Sequence, residues 1–108
     1  MLTVKLKEVS NYCVLHLNGV LDTDTVGELL KEVGPLLQKK YPRLILDCSF
    51  VHDIDAIALA VLLDLQQRLS SENIELNYIQ LTEDVLNVVM KAGVKSFIKI
   101  FPSMKELS

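Results

Sequence analysis

The sequence predicts an α/β fold: a mixed sheet of about five strands, opened by an N-terminal hairpin and otherwise largely parallel, with three to four helices. Three observations carry this. The first residues alternate between apolar and polar. Apolar stripes at helical spacing then recur between short apolar runs. After the opening hairpin, strands and helices take turns, which implies parallel pairing through right-handed crossovers.

Leu2, Val4 and Leu6 alternate with Thr3, Lys5 and Lys7, the period of a half-buried strand. Ser10-Asn11 signals a turn, and Tyr12 to Leu17 reads as the returning strand, broken at Gly19. Asp22 or Thr23 is placed to cap a helix whose apolar stripe is Val26, Leu29, Leu30, Val33, Leu36 and Leu37. Pro35 predicts a kink or an end near Gly34. Leu44-Ile45-Leu46 forms a short apolar strand, and a brief acidic loop follows. Asp53 or Asp55 caps a second helix running to about Ser70, apolar almost all round at its start and so expected to be buried on most sides. Ile74, Leu76 and Tyr78 alternate with Glu75 and Asn77 as another strand. Thr82 caps a third helix, closed by Gly93 at its C′ position. Phe97 to Phe101 is a last short strand, and Met104 to Leu107 a last helical turn.

The chain has 108 residues, which reads as one domain, 1–108, with one core. Half the residues are hydrophobic and the net charge is −3. That balance, without a long basic run, argues against nucleic acid as the partner, because phosphate binding needs clustered Lys and Arg. The densest basic segment, Lys39-Lys40-Tyr41-Pro42-Arg43, falls where it complements a helix C-terminus. Cys13 and Cys48 lie in apolar strand-like runs and read as reduced core thiols; Cys13 and His16, three apart on a strand, point to opposite faces. The N-terminal residues lack the pattern of a signal peptide, and no apolar run has the length of a membrane span, so the expected location is cytoplasmic.

Little in the sequence points to catalysis. The four glycines, Gly19, Gly27, Gly34 and Gly93, make neither a P-loop nor a dinucleotide fingerprint. Ser49, His52 and Asp55 are the residue types of a hydrolase triad, but they lie too close in sequence for its geometry and lack a nucleophile elbow. Asp22, Asp24, Asp47, Asp53 and Asp55 all fall at or after strand ends and would converge on a hard cation if one sheet edge gathered them, although such positions select aspartate for capping and turns in any case. The remaining feature is an interaction surface: Ala56, Ile57 and Ala60 open a helix beside acidic groups, suited to a protein partner if that flank is uncovered.

The chain also resembles the STAS domain family, shared by bacterial anti-sigma factor antagonists and sulfate-transporter tails. Leu17-Asn18-Gly19-Val20-Leu21-Asp22 is similar to the family's L-x-G-x-L-D, and Leu46-Asp47-Cys48-Ser49 to L-D-x-S. Asp55 through Leu63 aligns without gaps on D-S-S-G-L-G-V-L-L, and Glu75 to Ile79, Ala92-Gly93-Val94 and Phe97 to Phe101 continue in the family's order. The resemblance implies a STAS fold and a non-enzymatic domain without cofactor. It also implies binding to an anti-sigma factor that is itself a serine kinase-like ATPase, with Asp22, Thr23, Asp53, Asp55, Ala56 and Ile57 lining the partner surface. In the family, the hydroxyl residue after the loop aspartate is phosphorylated by that partner. Here the position is Ala56, and sliding the alignment by two offers only Ile54. The resemblance therefore implies recognition without the usual phosphoserine control. Two alternatives accompany it: a constitutive subunit of a stressosome-like or lipid-transport ATPase complex, and a small-ligand or metal-binding module at the acidic edge.

Overall fold

The computed structural model describes residues 1–107. Strands β1 (Leu2–Glu8) and β2 (Cys13–Leu21) form the antiparallel hairpin, in register from Leu2 opposite Gly19 to Glu8 opposite Cys13. Helix α1 (Val26–Leu36), strand β3 (Arg43–Ile54), helix α2 (Ala56–Ser71), strand β4 (Glu75–Ile79), helix α3 (Glu83–Lys91) and strand β5 (Lys99–Phe101) follow. Three short 3₁₀ turns, at Leu37–Lys39, Lys95–Phe97 and Met104–Leu107, complete the described chain. The sheet order is β1-β2-β3-β4-β5, with β2 through β5 parallel.

Successive parallel strands that always step the same way, joined by crossovers of one hand, put their helices on one face. The packing obeys this. Leu29 and Val33 of α1, Leu62 and Leu69 of α2 and Val89 of α3 share one core with Leu15, Leu46 and Leu76 of the sheet. The opposite face carries a smaller cluster, in which Val14, Ile45 and Ile79 are covered by Tyr12, Phe101 and the C-terminal turn residues Met104 and Leu107.

Two strands outrun the sequence expectation. Gly19 does not end β2, which continues to Leu21. Gly19 sits within the strand at φ +127°, and the ladder to β3 shifts register on either side of it, between His16 and Asn18 and between Gly19 and Val20. β3 is longer still: its second half, residues 49–54, reads as a loop because Phe50, His52 and Asp53 are exposed and the shifted register breaks the alternation. This half pairs with β2 on one side, while β4 reaches only to Asp47 on the other. There the Thr82 hydroxyl donates to the Val51 carbonyl at 3.0 Å, tying the start of α3 to the strand. Thr82 is the N-cap of α3 as its position predicts, and Gly93 takes the positive φ of a C′ residue.

The other differences are local. α1 runs through Pro35 and tightens into a 3₁₀ turn after Leu36. The last strand is shorter than the apolar run, since Lys95–Phe97 is a 3₁₀ turn. The basic segment after α1 is occupied with structure: Lys39 pairs with Glu8 at 2.6 Å, and Arg43 reaches Glu75 and the Leu107 carbonyl.

Candidate functional site

The ends of β2 and β3 lie side by side, with Leu21 opposite Ile54, so the turns that leave them are brought together. Asp55 joins the two. It is the N-cap of α2: Oδ1 accepts the Ala58 N–H at 2.8 Å, while Oδ2 accepts the Thr23 N–H at 3.2 Å and the Thr23 hydroxyl at 3.4 Å. The Asp55 N–H donates to the Leu21 carbonyl. The Ala58 bond is the main reason the Asp55 carboxyl is held below the ordinary range, with the Thr23 bonds adding to it. The site therefore carries a fixed negative charge at neutral pH.

Asp22 performs a different task from the helix cap its position suggests. Thr25 occupies the N-cap position of α1, and Asp22 Oδ1 accepts the N–H groups of Asp24 and Thr25 at 2.9 and 3.0 Å, closing the turn before the helix. Thr25, buried, completes that turn by donating its hydroxyl to the Val20 carbonyl at 2.7 Å. Sequence reading misses Thr25, because a threonine at a helix start carries no sign of which carbonyl it reaches.

The start of α2 is less covered than its composition suggests. Ala58, Leu59 and Leu62 are buried, but Ala56, Ile57 and Ala60 are exposed, Ile57 by 58%. An exposed apolar turn thus lies beside Thr23 and Asp55. Asp53, exposed on β3, extends the acidic rim, with its Oδ1 accepting the Ile54 N–H. Of the six partner-surface residues read from the sequence, Thr23 and Asp55 are in direct contact, Asp22 shapes the turn carrying Thr23, and Asp53, Ala56 and Ile57 flank the cap. Between Ala56 and Ala58 there is no hydroxyl.

The five aspartates do not converge. Among the described residues no group of three or more His, Cys, Asp or Glu side chains is placed to hold a metal ion. Asp47 lies on the helix-free face, where Oδ2 accepts from His16 Nδ1 at 2.7 Å and Oδ1 accepts the Ser49 N–H and hydroxyl at 3.0 and 2.8 Å. Ser49 is thus bonded to Asp47 rather than to His52, and the triad reading has no geometric basis. Burial opposes ionisation of Asp47, but the two Ser49 bonds and His16 outweigh it and hold the carboxyl below its usual range. A carboxyl with a depressed folded pKa contributes stability above its unfolded value, about 4, which is lost as pH falls through the folded value. The wild type is therefore expected to lose more stability than Asp47→Asn between pH 6 and pH 3, read as the shift in urea midpoint. Equal shifts would remove Asp47 from the acid response. The two cysteines are buried and free; burial pushes the Cys48 thiol up to about 12.

No helix among the described residues is long and apolar enough to cross a membrane. The STAS domain family matches residues 3–107. No curated protein matches the chain. Among solved structures, a Thermotoga maritima protein provisionally named an anti-sigma factor antagonist superposes with a TM-score of 0.86 at 24% identity, over 96% of this chain and 90% of that one. An anti-sigma factor antagonist from Mycobacterium paratuberculosis gives 0.85 at 17% identity, over 98% and 90%. The anti-sigma factor antagonist SpoIIAA in its unphosphorylated form gives 0.78 at 14%, over 97% and 93%. At these identities the likenesses establish the fold, a five-stranded mixed sheet with its helices in the order found here.

Proposed function

Given that the chain belongs to the STAS domain family, we propose that it is a non-enzymatic, cytoplasmic protein-interaction domain of the anti-sigma factor antagonist kind, which binds an anti-sigma factor with a serine kinase-like ATPase fold. The surface is Asp22, Thr23, Asp53, Asp55, Ala56 and Ile57. The observation that carries this is the exposed apolar first turn of α2 beside the Asp55–Thr23 clasp. An uncovered apolar patch rimmed by fixed charge is what a protein interface requires.

The same turn explains the proposed regulation. A phosphate would add about −1.5 to −2 charge at the helix N-terminus. The helix dipole tolerates it within the domain, but a packed interface beside Asp22 and Asp55 does not. With Ala56 at the acceptor position, binding persists without that control.

The test uses the kinase-like anti-sigma factors encoded in the source genome, each purified and incubated with ATP and the domain, followed by intact-mass analysis. The wild type is expected to gain no phosphate, and Ala56→Ser to gain one. A phosphate gained by the wild type at any hydroxyl, Thr23, Thr25 and Ser49 included, or none gained by Ala56→Ser, contradicts the reading. The missing hydroxyl also favours a second reading, a constitutive subunit of a stressosome-like or lipid-transport ATPase complex. Co-purification with an ATPase-transporter subunit instead of an anti-sigma factor would establish it.

A further inference from the structure

Beyond Ala56, the same flank of α2 opens into a groove. Ala56, Ala60 and Leu63 form one wall of a hollow of about 440 Å³, and Val88, Ala92 and Val94, at the end of α3 and just past it, form the other. Past Leu63 and Val94 it runs into a second hollow of about 740 Å³, bordered by Gln66, Ser70 and Phe97. The α2 positions 56, 60, 63, 67 and 70 are spaced as one helix stripe. At 1.5 Å per residue the stripe is about 21 Å long. At the α2 N-terminal end the groove meets a third hollow, which holds Asp53 and Asp84 and shares Val88 and Lys91 with the first. Further along, Phe97 is 66% exposed, and Gln66 has a buried Oε1 without a hydrogen-bond partner while its Nε2 donates to the Phe97 carbonyl.

We propose that this groove takes an amphipathic helix of the partner protein, apolar on the face it buries and basic at the end that lies over Asp53 and Asp84. The inference rests on the reading of the Ala56 end as the partner surface and extends it along α2. Two features favour a helix. Alanines on both walls let a third helix axis approach to the usual distance of about 8–10 Å. The walls are helices whose backbone groups are already paired, so they offer no open edge to a strand. Charge chooses the sign of the occupant, because the groove's first end sets the carboxylates of Asp53 and Asp84 against the single ammonium of Lys91, with His52 beside them, which leaves it net negative.

The test is an amide NMR titration of the full chain with two synthetic peptides of about four helical turns, matched to the length of the stripe. Both carry leucines on one face; one has lysines at all other positions, the other glutamates. The lysine peptide is expected to shift the amides of Ala60, Leu63, Val88, Ala92 and Val94 and to bind at least about tenfold more tightly than the glutamate peptide. Ala60→Arg, at an exposed helix position, is expected to weaken it about tenfold without changing the melting temperature. Equal affinity for both peptides, shifts centred outside the groove, or no effect of Ala60→Arg would overturn the proposal. The underlying reading fails separately. An anti-sigma factor that binds wild type and Ala60→Arg equally refutes the groove and leaves the Ala56 surface standing. A lysine peptide seated in the groove while no anti-sigma factor binds leaves the groove and refutes the partner class.

Discussion

Gly19→Ala is expected to destabilise the domain by about 3 kcal/mol or more, the sum of a backbone conformation that L-residues rarely adopt and a collision in the strand pairing. Gly19 has φ +127°, and a Cβ there would stand 2.1 Å from the Met1 carbonyl oxygen and 3.2 Å from Leu2 Cα. Neither atom belongs to a side chain that could swing away. The same Met1 carbonyl accepts the Val20 N–H, so relieving the collision means lifting the start of β1 off β2 and exposing Leu2, which is buried. Urea unfolding monitored by far-UV circular dichroism reads the loss as a lower midpoint. Amide exchange along β1 would rise in parallel. A loss below about 1 kcal/mol would show that β1 re-registers at little cost, and that the L-x-G-x-L-D glycine is not there for the backbone.

Leu62→Ala is expected to cost about 3 kcal/mol, within the range for truncating a buried leucine whose surroundings relax only partly. Leu62 is 2% exposed and lies in the core cluster to which all three helices contribute. The flank it belongs to carries most of the buried surface of α2, since Ala56, Ile57 and Ala60 on the opposite flank are exposed. A matched exposed truncation, Ile57→Ala, is expected to change stability by less than about 0.5 kcal/mol while weakening partner binding. Thermal unfolding of the two variants separates the core face of α2 from its exposed face. Similar losses for both would mean that Ile57 is structural.

This division of α2 explains what sequence could and could not convey. The hairpin, the stripe of α1, the cap at Thr82 and the αL residue at Gly93 are local, and each is written within a few residues. In the sequence the choice between Asp53 and Asp55 as the α2 cap is open, because both precede an apolar run; only the β3 extension to Ile54 places Asp53 inside a strand. That extension has no local signature, because its alternation is broken by register shifts and half its side chains face solvent. The His16–Asp47 pair joins residues 31 apart and has no local signature. The site shows the same limit. The sequence, with its family resemblance, singles out Asp22, Asp55 and Ala56 as candidates, but the Asp55–Thr23 clasp and the groove along α2 depend on how β2, β3 and α3 are laid together. The start of α2, apolar on nearly every side, could not reveal which flank the sheet takes.

If the first turn of α2 is the proposed recognition surface, it tolerates no added negative charge, and Ala56→Glu supplies one. At the first helical position a glutamate favours the helix through its dipole, so the variant should be folded and no less stable than wild type. Calorimetric titration with the anti-sigma factor that binds the wild type is the measurement. The loss of affinity is expected to be about 100-fold, since a carboxylate at position 56, in the apolar wall of the groove and beside Asp55, would lie under the partner's apolar face with no cation to pair it. Unchanged affinity in a folded Ala56→Glu domain would contradict it and move the partner surface elsewhere on the fold.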